Sequence, residues 1–291
     1  MPAVAPDLSA PTDLSASADL SMVDLSAADQ ASADLAPDDS GLVDGSVAGG
    51  TTPAKQGNVF ALNTNLATET SAKASASFEE LAASGIACTY SPTASALCQR
   101  EQCTGLSNNP VFDDGGTVTF SDGTRNATLT WNGTAYPFFS ALGSNWTTGA
   151  TISISSSGSS KVPAFSDTVV MPPPADFSAP LPDSHGNLTQ SRTSDFNFAW
   201  SGGGSQFVSV FLSTGSTSTA DSVRCVFPAP AGAGAIPSAV LSTLSAGTYS
   251  LSAQAGDYHD LVIGDWSITV AAVGSTRLPG MTNFQAMVAL Q

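Results

Sequence analysis

One stretch of the sequence, residues 195–227, constrains the fold more than any other. Its first run places Phe196, Phe198 and Trp200 at every second position, and only an extended strand puts residues i, i+2 and i+4 on one face. Glycines at 202–204 allow a reversal, which predicts a hairpin. The same alternation returns in two later runs, Val208, Val210 and Leu212, then Val223, Cys225 and Phe227. Strands with one apolar face each need a second sheet to cover them.

Strand signals also recur through the rest of the chain. Between residues 116 and 170, short strand-like runs alternate with Gly, Asn and Asp turns at the spacing of ~8–12 residues that is typical of sandwiches. A single short helix is predicted over 236–244, with Pro237 in its first turn. The pattern therefore predicts an all-β protein, with two tandem antiparallel β-sandwich domains that are immunoglobulin-like in the loose sense.

The domain limits follow from two changes in composition. Residues 1–56 repeat Asp-Leu-Ser and hold nine aspartates but one lysine, so they are predicted to be a disordered acidic tether. The run Met171-Pro-Pro-Pro cannot continue a hydrogen-bonded ladder, because proline has no N–H. We therefore predict one sandwich over 57–171 and a second over 172–291.

The charge balance excludes several kinds of partner. Eight Lys and Arg against 24 Asp and Glu give a net charge of −16, which disfavours nucleic acid because phosphate binding needs a basic patch. No apolar run approaches the ~18–20 residues of a membrane-spanning helix. The start, Met-Pro-Ala-Val, does not resemble a signal peptide, so we expect an export signal upstream of Met1.

Cysteine usage points to an oxidising compartment. The chain has four cysteines, Cys88, Cys98, Cys103 and Cys225, and an even count fits disulfides. Within one extended strand Cys98 and Cys103 would lie ~16 Å apart on opposite faces. A cross-strand bond from Cys88 to either of them is favoured, and the remaining cysteine would pair with Cys225 or stay free.

The C-terminal half resembles a group of uncharacterised exported lipoproteins of myxobacterium-like bacteria. The residues that carry the resemblance are Ala199-Trp-Ser-Gly-Gly-Gly, Val223-Arg-Cys-Val-Phe-Pro and Leu244-Ser-Ala-Gly-Thr-Tyr, with Ser157-Gly-Ser-Ser-Lys-Val-Pro in the first half. The Asp-Leu-Ser segment is similar to the tethers of those proteins. The resemblance implies an exported β-sandwich protein and carries no known activity or site residues.

Signals for catalysis are weak. There is no G-x-S-x-G nucleophile motif, and His185 and His259 lie in polar sequences that predict loops. Glu79 and Glu80 are adjacent, so on a strand they would point to opposite faces and could not flank one glycosidic bond. We therefore expect no enzymatic activity.

Two kinds of binding site remain as alternatives. Trp131, Tyr136 and Trp146 could form an exposed platform that stacks on sugar rings, although burial in the core is favoured. Asp113, Asp114 and Asp122 could meet at one end of the first sandwich and bind calcium, although Asp is also common in turns. Calcium is the one cofactor that the sequence allows.

Together these observations favour a non-catalytic structural or binding module. It would be exported or displayed on the outer envelope of a bacterium, with an unknown protein or polysaccharide as its partner. Contact with a membrane would come only through an N-terminal lipid anchor not seen in the sequence. The alternatives are a carbohydrate-binding module that uses the three aromatic residues and a calcium-stabilised adhesin-like module.

Overall fold

A computed structural model describes residues 55–65, 70–80, 87–92, 95, 97–105, 111–183, 186–204, 206–215, 219–274, 276–277 and 285–291. The predicted tether lies outside these residues except for its last two, and His185 lies outside them as well. All that follows concerns the described part of the chain.

Strands dominate the described residues. In chain order they are β1 (Lys55–Asn65), β2 (Thr70–Glu80), β3 (Ala87–Pro92), β4 (Cys98–Thr104), β5 (Val118–Ser121), β6 (Asn126–Leu129), β7 (Phe139–Leu142), β8 (Thr151–Ser156), β9 (Phe165–Val170), β10 (Ala175–Ala179), β11 (Asn187–Gln190), β12 (Phe196–Gly202), β13 (Phe207–Gly215), β14 (Thr219–Pro228), β15 (Ala233–Ile236), β16 (Gly247–Ile263), β17 (Trp266–Gly274), β18 (Thr276–Arg277) and β19 (Gln285–Leu290). One short helix, α1 (Ser238–Leu241), and a 3-10 turn at Ala229–Ala231 complete the set. The predicted all-β class with one short helix is confirmed.

The strands form three sheets. The largest has eleven strands along the path β3-β4-β14-β13-β16-β17-β1-β2-β7, with β19 and β11 attached beside β16. Two four-stranded sheets, β15-β12-β10-β18 and β6-β5-β8-β9, complete the fold. Three ladders are parallel rather than antiparallel, namely β1 with β17, β10 with β18 and β11 with β19. Each joins segments far apart in sequence, which leaves room for the long crossover that parallel pairing needs.

Each four-stranded sheet covers its own hydrophobic core. The first core contains Phe78, Phe120, Trp146, Ile152 and Trp266. The second contains the alternating apolar residues of the stretch 195–227: Phe196, Phe198, Trp200, Val208, Val210, Leu212, Val223, Cys225 and Phe227. All nine are buried, so the period of two correctly identified the inward face of three strands.

The largest sheet crosses the predicted boundary at residue 171. Strand β17 pairs with β1 and supplies Trp266, Ile268 and Val270 to the first core. Strand β4 pairs with β14 and supplies Cys98 to the second. The division into 57–171 and 172–291 as folding units stays a prediction, and these two ladders link its halves.

Two local predictions were wrong. Strand β12 does not form a hairpin with β13, because β12 pairs with β10 and β15 while β13 pairs with β14 and β16. The chain instead passes from one sheet to the other through glycines 202–204, whose φ angles are 85°, 77° and 67°. The segment around His259 is not a loop either, since β16 runs without a break through it.

We expect Gly202→Ala to lower the free energy of unfolding by about 2 kcal/mol. An alanine there would carry the positive φ that L residues disfavour, and its Cβ would overlap the carbonyl oxygen of Pro174. Urea denaturation measures the loss. Gly264→Ala is the matched control, because Gly264 also has a positive φ but has open space around it. An equal loss in both variants would contradict the role of the overlap.

Candidate functional site

The cysteines fasten the β3–β4 hairpin to the second core. Cys98 on β4 and Cys225 on β14 lie opposite each other in the ladder and form a disulfide with a Cα–Cα distance of 4.0 Å. Both are buried. Cys103 is disulfide-bonded too, and Cys88 is its partner in the register of β3 and β4. Of the pairings that the sequence left open, a bond between Cys88 and Cys98 is thereby excluded.

An ion pair supports the same junction. The guanidinium of Arg100 on β4 donates to both carboxylate oxygens of Asp221 on β14, from Nε at 2.9 Å and from Nη2 at 2.7 Å. Both side chains are largely buried, and the hydrogen bond with Asp221 raises the pKa of Arg100. A bidentate pair has more geometric specificity than a single contact, so it fixes the register of β4 on β14.

The three-residue sugar platform is not present. Trp146 is fully buried in the first core, where its indole Nε1 donates to the carbonyl of Lys73 at 2.8 Å. Its backbone N–H donates to Oδ1 of Asn63 at 2.7 Å. Trp146 therefore has no face for a ligand.

Trp131 and Tyr136 remain near the surface as a half-buried pair. Their rings meet edge to face with centroids 5.4 Å apart. The Tyr136 hydroxyl accepts from the N–H of Gly115 and donates to the carbonyl of Gly116, both at 2.7 Å. Burial, reinforced by the nearby charge of Asp114, raises the pKa of Tyr136 to about 12. The hydroxyl of Tyr136 therefore forms its hydrogen bonds with the backbone and not with a ligand.

Tyr136→Phe should lower stability near neutral pH by about 1 kcal/mol, because the Gly115 N–H and the Gly116 carbonyl lose their partner. The pH dependence adds a second signature. Above the ordinary tyrosine pKa of 10.0, the unfolded chain loses this proton before the folded chain, whose pKa is about 12. Wild-type stability therefore falls as the pH rises through this window.

Urea denaturation at pH 8, 10 and 11 measures both effects. Part of the alkaline slope remains in the variant, because burial also raises the pKa values of Tyr249 and Tyr258. The slope of Tyr136→Phe should nevertheless be shallower than that of the wild type. Identical slopes would contradict the assignment.

The three aspartates proposed for calcium do not come together. Asp113 and Asp114 precede β5 and Asp122 follows it, so the strand separates them. Asp113 forms an ion pair with Lys161 at 3.2 Å, and Oδ1 of Asp114 accepts the N–H of Gly116. Within the described part of the chain, no group of three or more His, Cys, Asp or Glu is arranged to hold a metal ion.

Asp122 instead organises a turn. Its Oδ1 accepts the N–H groups of Thr124 and Arg125, and its Oδ2 accepts the N–H and hydroxyl of Thr147. Partial burial alone would raise the pKa of Asp122, but these hydrogen bonds outweigh burial and hold the pKa well below its ordinary value. Its bonds tie the β5–β6 turn to the segment that carries Trp146.

His259 lies in a cluster with two carboxylates between β16 and β9. Its Nδ1 is 2.9 Å from Oδ2 of Asp167, and its Nε2 is 3.8 Å from Oδ1 of Asp257. Asp257 also accepts the N–H of Val170 at 2.6 Å. A hydrolytic triad needs a hydroxyl or thiol at the imidazole nitrogen that faces away from the orienting carboxylate, and here that nitrogen faces a second carboxylate.

A groove that the sequence did not predict lies in the second half. It has a volume of about 460 Å³ and is lined by the turn at 180–183, by β11 and by residues 195–197. The signal that could have revealed the groove is the run Asn187-Leu-Thr-Gln, in which one apolar residue stands among polar ones a few positions after Pro180-Leu-Pro.

No family model matches the chain, and no curated protein matches it. A Ca2+-stabilised adhesin that helps an Antarctic bacterium bind ice is 10% identical, with 81% of this chain and 74% of that chain covered and a TM-score of 0.19. A 1.5-MDa bacterial ice-binding adhesin is 10% identical over 72% and 74% of the two chains, with a TM-score of 0.16. A set of titin domains is 10% identical over 62% and 60%, with a TM-score of 0.15.

These likenesses to solved structures are distant, and TM-scores this low carry no argument about function. The resemblance to exported lipoproteins stays a prediction. Among the residues with described structure, no helix is long and apolar enough to cross a membrane.

Proposed function

We propose that the protein is an exported, non-catalytic module that presents a rigid β-sheet surface for binding at a bacterial cell envelope. The observation that carries the proposal is the buried Cys98–Cys225 disulfide, which joins residues 127 positions apart at the edge of the second core. Structural disulfides persist in oxidising compartments and are rare in the cytosol. An additional bonded cysteine, Cys103, points the same way.

The engagement of the ionisable side chains supports a non-catalytic role. Acid–base catalysis needs a group free to exchange a proton with a substrate. The imidazole of His259 lies between the carboxylates of Asp167 and Asp257. The guanidinium of Arg100 forms an ion pair with Asp221. The carboxylate of Asp122 accepts hydrogen bonds from several neighbouring donors. Each of these contacts ties one strand or turn to another, so a structural role accounts for them.

Cysteine trapping in the native bacterium tests the proposal. Cells are quenched in acid, thiols are blocked with an alkylating reagent, and the protein is captured and analysed by mass spectrometry. We expect Cys98 and Cys225 to be unmodified and the protein to be digested when intact cells are treated with protease. Alkylated Cys98 and Cys225, or protection from protease until lysis, would overturn the assignment.

A further inference from the structure

We propose that the groove lined by residues 180–183, β11 and residues 195–197 binds an uncharged polysaccharide. This inference deepens the proposed binding function and rests on it. It places the binding site away from Trp131 and Tyr136, in a part of the second half that no sequence motif marks. Four features of the groove carry it: its floor, its polar walls, its rim and its charge.

The floor is apolar and fixed. Leu188 and Phe196 are 6% and 3% exposed, and both belong to the second core. Because side chains alternate along a strand, the neighbours Asn187, Thr189 and Asn197 turn outward, and all three are exposed. The groove therefore combines two side chains of the second core at its base with polar side chains from two strands, β11 and β12.

The polar walls can donate and accept hydrogen bonds. The Asn187 and Asn197 amides and the Thr189 hydroxyl each offer both a donor and an acceptor, as the hydroxyl groups of a sugar require. The wall behind them is held in place, because the Gln190 side-chain amide donates to the carbonyls of Ser191 and Ser194 at 2.8 and 2.9 Å. A wall fixed before binding lowers the entropic cost of association.

The rim favours a sugar over an added peptide strand. Leu181 is 74% exposed and stands between Pro180 and Pro182, which offers an apolar surface to the C–H face of a sugar ring. A peptide that added as a strand along residues 180–182 would need backbone N–H groups from this segment. Both prolines lack them, and proline is a common means of blocking such edges.

The charge of the groove selects against acidic ligands. Two aspartates, Asp183 and Asp195, and no Lys or Arg stand among the described residues that line it. The chain as a whole carries a net charge of −16. Phosphate, sulfate and uronate groups would therefore be repelled, and the hydroxyl groups of a neutral sugar match the Asn and Thr side chains of the walls. The volume of about 460 Å³ lies within the range of ~300–1,000 Å³ of small-ligand sites.

An NMR titration of the full chain tests the proposal. The probes are neutral oligosaccharides of glucose, mannose and N-acetylglucosamine, with an oligogalacturonate as the acidic comparison. We expect at least one neutral probe to shift the backbone amides of residues 187–190 and 195–197. Asn197→Ala and Thr189→Ala should each weaken its binding by about two- to tenfold, as expected for the loss of one hydrogen bond.

Asn126→Ala is the matched control, since Asn126 is also an exposed strand asparagine but belongs to β6. It should leave the affinity unchanged. Absence of shifts with every neutral probe, shifts centred on Trp131 and Tyr136, or equal binding of the oligogalacturonate would overturn the proposal. The thiol and protease experiment is independent of these outcomes, so failure at the groove is distinguishable from failure of the exported-module assignment.

Discussion

Replacing Cys98 and Cys225 together by alanine is expected to lower the free energy of unfolding by about 4 kcal/mol. The bond closes a loop between residues 127 positions apart, and a long closed loop restricts the unfolded chain strongly. The loss also removes the covalent attachment of β4 to β14, so that the backbone ladder between the two strands and the Arg100–Asp221 ion pair would have to hold the hairpin in place.

Urea denaturation of the wild type and the double variant, both oxidised, measures this loss. Ser222→Ala on β14 is a suitable control, because it alters a buried residue on the same strand without breaking a covalent bond. A loss below about 1 kcal/mol would show that the disulfide constrains the unfolded chain far less than its loop length implies.

Trp146→Ala is expected to cost about 4 kcal/mol, as truncation of a buried aromatic residue usually does. The indole is fully buried, packs near Phe120 and Phe139, and donates to the Lys73 carbonyl. Its removal would leave a cavity in the first core and would remove the hydrogen bond to the Lys73 carbonyl.

Trp131→Ala is the matched comparison, because Trp131 is only half-buried. We expect it to cost about 1 kcal/mol or less. Equal losses for the two tryptophans would contradict the placement of Trp146 in the core, and so would a Trp146→Ala variant as stable as the wild type.

The sequence predicted the inward faces of strands better than it predicted their partners. The period of two at Phe196, Phe198 and Trp200 follows from local backbone geometry, so it could be detected without the fold. Whether β12 pairs with β13 depends on sheets that form elsewhere, and the glycines at 202–204 fit a hairpin as well as a passage between sheets. The parallel ladder of β1 and β17 joins segments more than 200 residues apart, and no local pattern encodes it.

The candidate sites show the same limit. Trp146 lies in a polar sequence, Ser-Asn-Trp-Thr, yet its indole packs in the first core, and Oδ1 of Asn63, 83 residues earlier, accepts its buried backbone N–H. The sequence around His259 predicts a loop, yet Asp257 and His259 find partners on β9 and remain within a strand. In both cases a polar group forms a hydrogen bond or ion pair with a residue far away in the sequence. The local sequence alone predicts that this group is solvated.

Strand β16 has a mechanical consequence. Its first half packs into the second core through Tyr249 and Leu251, while its second half pairs with β17, which lines the first core. Bending the molecule between its two cores would have to break hydrogen bonds along one continuous seventeen-residue strand. The two cores are therefore expected to move together, and a load applied at one would be transmitted to the other through the backbone of this strand.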